Sequence, residues 1–490
     1  MREIRSAEEG NVLICALCTI LIISLVGANV LHNCTTRFNV SSSQVRSWKE
    51  SLFAAEAGGD IAYAQVRKTV LDPLNAFPSA SGEWTNTPAV NPVKHESRDT
   101  TFGSNGLVTS TVVDLFYYDP ATGNPWFRSR SKGTAPVKGM TRTGMDDRMG
   151  AGTRGDSLLR KIDFRTDHFV ATYGAAGDGL NKAVVTVPGP QITRRIEQIS
   201  APVTPFEAAI KCTGSFYGLG SAAQVDSYNS KNGPYVFVAN NPADPRYKDS
   251  RSGSVEIGTP VAEVNGMLYG NISTNGGTLR PSQYITGTID NNVPFTCPPF
   301  KMPADLPPPQ ASPTSVTSDS GIVSLTPPAA GTPQNPTYYL LSALSGNLII
   351  NPVGSAQTYV AIHVTNDVTA HVTVKNNVHV KIFVDGNIDV KARDIDNETN
   401  LAANLQYYSI SPANPATSQF IHIAPPGDFA ATFYAPSADV VLNGNPDLIG
   451  AIVCKTFYGN GNTSWHYDRA LDAEGDAVDY RIVSYVEDIR

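Results

Sequence analysis

The sequence predicts a mainly β protein with one long N-terminal α-helix and a β-solenoid (β-helix-like) ectodomain, a β-meander being the alternative. Three observations predict it. Val12 to Leu31 is a run of twenty residues without a charge. No proline interrupts the chain before Pro73. Short runs between Tyr359 and Val390 alternate apolar and polar residues with a period of two, the mark of strands buried on one side.

The helix comes first. Twenty residues at ~1.5 Å each reach ~30 Å, the thickness of a bilayer's hydrocarbon core. Beyond them Val45, Trp48, Leu52 and Ala55 recur at steps of three and four, one stripe of an amphipathic helix. "LDPL" at Pro73 provides the stop. In "AEAGGD", Gly58 and Gly59 each weaken the helix by roughly 1 kcal/mol relative to alanine. The whole is ~90 Å long, half in lipid and half outside. A cleaved secretory signal would find its small-residue pattern in "VGA", Val26–Ala28. Yet the apolar run exceeds the 7–15 residues of such signals, and "MREIRSAEEG" carries two Arg against three Glu. A cleaved signal also gives no reason for the amphipathic continuation to residue 71. A retained helix spanning the membrane through residues 12–31, with a cytoplasmic N-terminus, is expected.

Residues 1–73 therefore form the first unit. Residues 74–205 read as a mixed α/β, turn-rich region. It holds a strand at "GLVTSTVVDLFYY", a long Gly- and charge-rich loop from Arg130 to Lys161, and a strand or short helix at "ITRRIEQISA". Residues 206–297 are a Gly/Asn-rich β region. Residues 298–336 contain 11 prolines, a linker or a strap along the surface. Residues 337–490 are a C-terminal β-rich, solenoid-like domain. There Val360, Ile362 and Val364 share a face, as do Val368, Ala370, Val372 and Val374, and Val378, Val380, Ile382 and Val384. The pairs "ND", "NN" and "DG" separate the runs.

A net charge of −7 offers no basic field for nucleic acid. Of six cysteines, Cys15 and Cys18 lie in the apolar run, Cys34 lies just past it, and Cys212, Cys297 and Cys454 fall in the outer part. Those three cannot all pair with one another, and the pairing stays open. "CALC" has no second half for a zinc site. No Walker loop, no GxGxxG after a strand and no Gly-x-Ser-x-Gly elbow occurs. No cofactor and no catalytic residue is expected.

Some residues nonetheless attract a metal reading. His363, His371 and His379 recur in His-Val pairs on the face opposite the valines, where stacked rungs would bring the rings together for zinc or copper. A repeating strand that repeats its polar residue gives the same pattern. Asp394, Asp396 and Glu398 have the one-three-five spacing of a calcium loop, but its sixth and twelfth places hold Thr399 and Leu405. An ordinary solvated turn explains them as well. His466 and Asp468 would share a strand face as a structural pair. "RGDS", 154–157, is an adhesion-type tetrapeptide.

The stretch "EEGNVLICALCTILIISLVGANVL", followed by "WKESLFAAEAGGDIAYAQVRK", resembles the N-terminal region of PilX-type, type IV pilin-like proteins. In that family a Gly precedes the apolar helix and an "AAEAG"-like motif closes its amphipathic half. Here the matching residues are Gly10 and Ala54, Ala55, Glu56, Ala57 and Gly58. Processing after Gly10 would leave Asn11 as the new terminus. The pilin pattern places a Glu fifth from that terminus, where it neutralises a neighbouring subunit's amino group; here the fifth residue is Cys15. That departure removes one assembly contact and suits a minor, tip or anchored role. Far downstream, "YAP" (Tyr434, Ala435, Pro436), "GAIV" (450–453) and "HYDRAL" (466–471) resemble a C-terminal domain of uncharacterised function attached to many such proteins. The resemblance implies a non-enzymatic subunit in a bacterial inner membrane, single-pass, with its bulk periplasmic or extracellular and other pilin-like subunits as partners. The rival is a β-helix enzyme acting on envelope polysaccharide, with Asp385, Asp389, Asp394 and Asp396 as its acids.

Overall fold

The computed structural model describes residues 4–78, 84–87, 94–97, 100–102, 107–137, 162–163, 168–172, 184–188, 191–217, 220–238, 241–258, 264–276, 279, 283–303, 306–412, 418–424 and 426–488. The RGDS tetrapeptide lies outside them. One helix, Ile4–Leu71, runs unbroken through Gly58 and Gly59 and ends before a single 3₁₀ turn at Pro73–Asn75. At ~1.5 Å per residue its 68 residues span ~100 Å.

The second half of the helix lies on an antiparallel sheet. Its strands follow the order Trp84–Thr87, Lys94–Ser97, Leu107–Tyr118, Pro125–Pro136, Gln191–Val203 and Asp479–Asp488. The segment "ITRRIEQISA" is thus strand. The first residues of the loop expected from Arg130 are strand, because Arg128 and Arg130 alternate with Ser129 and Ser131 and extend it to Pro136; 138–161 lie outside the described residues. Alternation with period two held there despite the glycine and the charges. The edge strand comes from the far end of the chain: Asp479–Asp488 pairs antiparallel with Gln191–Val203. Everything from Thr204 to Val478 is therefore inserted between two neighbouring strands of this sheet.

The insertion is a parallel β-solenoid. Its main face follows the order Ile289–Asn291, Ile272–Thr274, Val255–Ile257, Ile210–Cys212, Asp447–Asn460, Phe429–Asn443, Leu405–Ser409, Val378–Val384, Thr358–Val364, Thr337–Leu341. Every pairing along it is parallel, whereas a meander requires antiparallel neighbours. That order shows how the chain winds. A first stack leaves from Ile210 and ends at Asn291. The proline-rich segment then carries the chain to the opposite end, and a second stack winds back until Asp447–Asn460 lies against Ile210–Cys212.

The proline-rich segment is a strap with anchors. Tyr434 donates its hydroxyl to the Pro298 carbonyl at 2.8 Å. Phe300 is buried against Phe383, Tyr408 and Tyr434. Further along, Gln310 and Val316 make parallel bridges to Tyr339 and Leu344, and Ile322–Leu325 pairs with Asn347–Ile350. Its prolines supply no amide donors, so the end rung offers little edge for another strand.

Inward-facing aliphatics fill the solenoid. Val360, Ile362, Val364, Val372, Val374, Val378, Val380, Ile382 and Val384 belong to one buried cluster, each contributing about 1.5–3 kcal/mol relative to exposure. Corners are sealed by short polar side chains reaching one rung up. Asn271 Oδ1 accepts from the Thr288 amide at 2.9 Å and Asn445 Oδ1 from Asn462, each 17 residues on. Asp367 Oδ1 does the same for Asn387 at 2.7 Å. Asn377 of the "NN" turn takes φ 65°, a left-handed conformation that Asn tolerates.

Candidate functional site: the helix and the sheet that seats it

Two halves of one helix have opposite environments. The stretch beginning at Val12 is long and apolar enough to cross a membrane, and none of it is buried within the protein. Gly10 and Asn11 lie in the same continuous helix. From Ser47 onward a stripe of small residues is buried: Ser47, Ser51, Ala54, Ala55, Gly58, Gly59, Ala62 and Val66. Of the stripe Val45, Trp48, Leu52 and Ala55 that the sequence suggested, Ala55 is fully buried and Leu52 half-buried, while Val45 and Trp48 remain exposed. The reason lies on the opposing face. The strands present Thr109, Thr111, Ser129 and Ser131 to the helix, all buried, and such a bed of hydroxyls accepts small residues at close range.

The "AAEAG" motif lies close against the sheet. Thr109 and Thr111 each share a hydrogen bond with Ser131, at 3.0 and 3.1 Å. A β-carbon on Gly58 would stand closer than 3.0 Å to all three hydroxyl oxygens. Ala55 is fully buried. Glu56 leans outward and accepts a hydrogen bond from the Tyr485 hydroxyl at 3.1 Å. Burial, then the Glu56 charge, pushes that phenol up to about 12.

Further contacts fasten the helix to the edge strand. Arg67 grips Asp479 with two hydrogen bonds of 2.6 Å each. Tyr63 donates to the Tyr480 carbonyl at 2.6 Å. Arg194 lies over the Trp48 ring at 4.5 Å and pairs with Glu487. Below Gly59, Ala62 and Val66 pack with Phe77, Trp84, Val113, Leu115, Phe127 and Tyr480. The amphipathic half of the helix is thus a structural part of the head, and the apolar half projects from it.

The three histidines of the metal reading stand apart. His363 Nε2 lies 3.1 Å from Asp385. His371, on the four-stranded face, is 3.3 Å from Asp394. His379 is stacked on Tyr359 at 4.9 Å, and burial lowers its imidazole to about 4. Among the described residues, no group of three or more His, Cys, Asp or Glu is placed to hold a metal ion. The calcium-like acids prove to be the outer face of one rung. In register beneath Asp394, Asp396 and Glu398 stand His371, Thr373 and Lys375, and each acid is paired with its own neighbour. Their one-three-five spacing is the period of a strand.

His466 and Asp468 do share a strand, but their partners lie elsewhere. His466 Nδ1 is 2.7 Å from buried Asp226, which also accepts from Tyr235 at 2.7 Å. Asp468 accepts from the Ala470 and Ser230 amides. Asp226 and Tyr235 carried no signal in the sequence, because 240 residues separate His466 from its acid. The four acids of the enzyme reading are dispersed: Asp385 closes a strand of the main face, Asp389 lies in Ile388–Lys391 on a second face, and Asp394 and Asp396 are at the third.

Residues 329–474 match the profile of a domain of unknown function, DUF7305. They span the second stack of the solenoid with the end of the strap. No curated protein matches the chain. Among solved structures, the chain is similar to the competence-associated pilin ComZ from Thermus thermophilus, at 13% identity over 90% of this chain and 97% of that one, with a TM-score of 0.20.

Proposed function

We propose that this chain is a pilin-like envelope protein, a minor or accessory subunit of a type IV pilus or a related secretion or adhesion assembly. Residues 12–31 anchor it in a bacterial inner membrane as a single pass. The observation that supports this most is the division of one unbroken helix into an exposed apolar half and a half seated on an antiparallel sheet. An apolar helix left outside the protein needs lipid, or other apolar helices, to cover it. The role is mechanical: the helix holds the subunit, and the solenoid presents polar, cross-paired rung faces outward. Lateral partners are other pilin-like helices, and Cys15 in place of the pilin glutamate favours a position outside the filament core.

Mass spectrometry of the mature amino terminus tests the reading. A start at Asn11 agrees with pilin-type processing, and an intact terminus in the membrane fraction agrees with a plain anchor. A soluble product starting at Asn29 would overturn the reading, because the apolar half would then be a discarded signal.

A further inference from the structure

We propose that Cys212 and Cys454 form a disulfide that closes the seam between the two stacks of the solenoid, with Cys297 left as a free thiol. The sequence leaves three pairings open among these cysteines; the topology selects one. Ile210–Cys212 begins the first stack, Asp447–Asn460 ends the second, and the two strands run parallel with Cys212 directly opposite Cys454. Neighbouring strands lie about 4.8 Å apart, inside the 4.4–6.8 Å range of Cα separations that a disulfide bridges. The two sulfurs are 3.4 Å apart and both residues are fully buried.

The location gives the bond a purpose. The seam joins segments 242 residues apart, and its other joins are non-covalent: Phe216 stacked on Phe457, Tyr217 on Tyr458, and Asp226 bonded to His466. Cys297 stands just before the strap, partly exposed and near enough to Lys211 and Cys454 to feel their charges, but it is not opposite either cysteine in the strand register. Once the seam has closed, burial and the neighbouring Cys212 hold the Cys454 thiol neutral and unreactive. The bond therefore forms while the seam is still open. The thiolate of Cys212 attacks one sulfur of a disulfide-bearing oxidant and releases its first thiolate. Cys454 then displaces the second. Both cysteine protons pass to solvent, and the two electrons leave on the oxidant as a dithiol.

An oxidising compartment follows from the exported, anchored reading above, so the experiment separates the two. The full chain in detergent is unfolded, refolded with oxidised glutathione, denatured, alkylated without reduction and mapped by peptide mass spectrometry. The expected result is one cross-link between the Cys212 and Cys454 peptides and one alkylated Cys297. Cys212→Ala is expected to release Cys454 to full alkylation, and the reverse for Cys454→Ala. Alkylation of Cys212, Cys297 and Cys454 alike in the refolded wild type, or a link through Cys297, would overturn the proposal. The same map on protein taken from cells reads the compartment: the link present in both supports both conclusions, while a link formed only on refolding upholds the pairing and counts against export.

Discussion

Gly133 on the sheet meets Ser51 on the helix so closely that a β-carbon on the glycine would lie within 3.0 Å of the Ser51 carbonyl oxygen. The Ala55 amide nitrogen would be as near. Gly133 admits the helix backbone onto the sheet, and Gly58 admits the sheet hydroxyls onto the helix. A Gly133→Val substitution must lift the helix, at a cost of about 1–3 kcal/mol for overpacking. Hydrogen exchange in the Ser47–Val66 segment is expected to accelerate by one to two orders of magnitude. Gly27→Ala, with nothing within 4 Å, should leave it unchanged. Equal exchange in both variants would refute close seating.

Arg67 and Asp479 tie the end of the helix to the last strand of the sheet. The pair is bidentate, but the Arg67 side chain is 41% exposed, so solvent screening limits its worth to about 1 kcal/mol. Asp479→Ala should therefore lower the head's stability only modestly in a urea titration. Deleting residues 479–490 removes the strand itself, including buried Tyr480 and the carbonyl that holds Tyr63. That truncation is expected to expose the seat of the helix to protease. A truncated chain as resistant as the full one would mean that the strand is dispensable.

Most of the helix and the rungs from Tyr359 to Val390 were legible because their signals are local. Val360, Ile362 and Val364 reveal their shared face within five residues, and no partner has to be known. What the sequence hid is register. His371 meets Asp394 across 23 residues, yet other rungs repeat after 17, so no single period aligns them. The acids at 394, 396 and 398 consequently looked like a ligand loop, since alternation on an outer strand face and the spacing of a calcium loop are the same pattern. The return of Asp479–Asp488 to the first sheet, and the contact of Ile210 with Ile452, depend on pairings hundreds of residues apart. Val45 and Trp48 were misplaced in the helix stripe for another reason: serine and glycine are buried where the opposing surface is itself hydroxylic.

The insertion has ends that touch. Val478 donates its amide to the Val203 carbonyl at 3.0 Å, as a hairpin closing at that point would. Replacing 204–478 with an Asn-Gly turn should leave a head in which Gln191–Val203 and Asp479–Asp488 form a two-residue-loop hairpin. Circular dichroism is expected to retain the helix signal. The 204–478 fragment alone should resist trypsin as one body. Loss of the helix signal on excision would show that head and solenoid fold only together.

Acid weakens the solenoid through His379. Burial is the main reason its imidazole falls to about 4; the hydrogen bond it makes to the Ala403 backbone works the other way, and the Lys381 charge lowers it further. The unfolded chain binds that proton near pH 6.5, so between pH 6.5 and 4 the unfolded state holds more protons than the folded one. The stability contributed by neutral His379 is complete above pH 6.5 and is lost as pH falls towards 4, by about 3 kcal/mol at most. Glu474, which lines the same cleft, has the opposite sign: burial raises its carboxyl, so its contribution is present at low pH and lost as pH rises. The comparison must therefore be made against a His379→Phe variant, which keeps the ring stacked on Tyr359 and cannot titrate. The urea midpoint of the wild type, relative to the variant, should fall as pH drops from 7 to 4. Parallel profiles would show that the folded protein accommodates a charged His379 without cost.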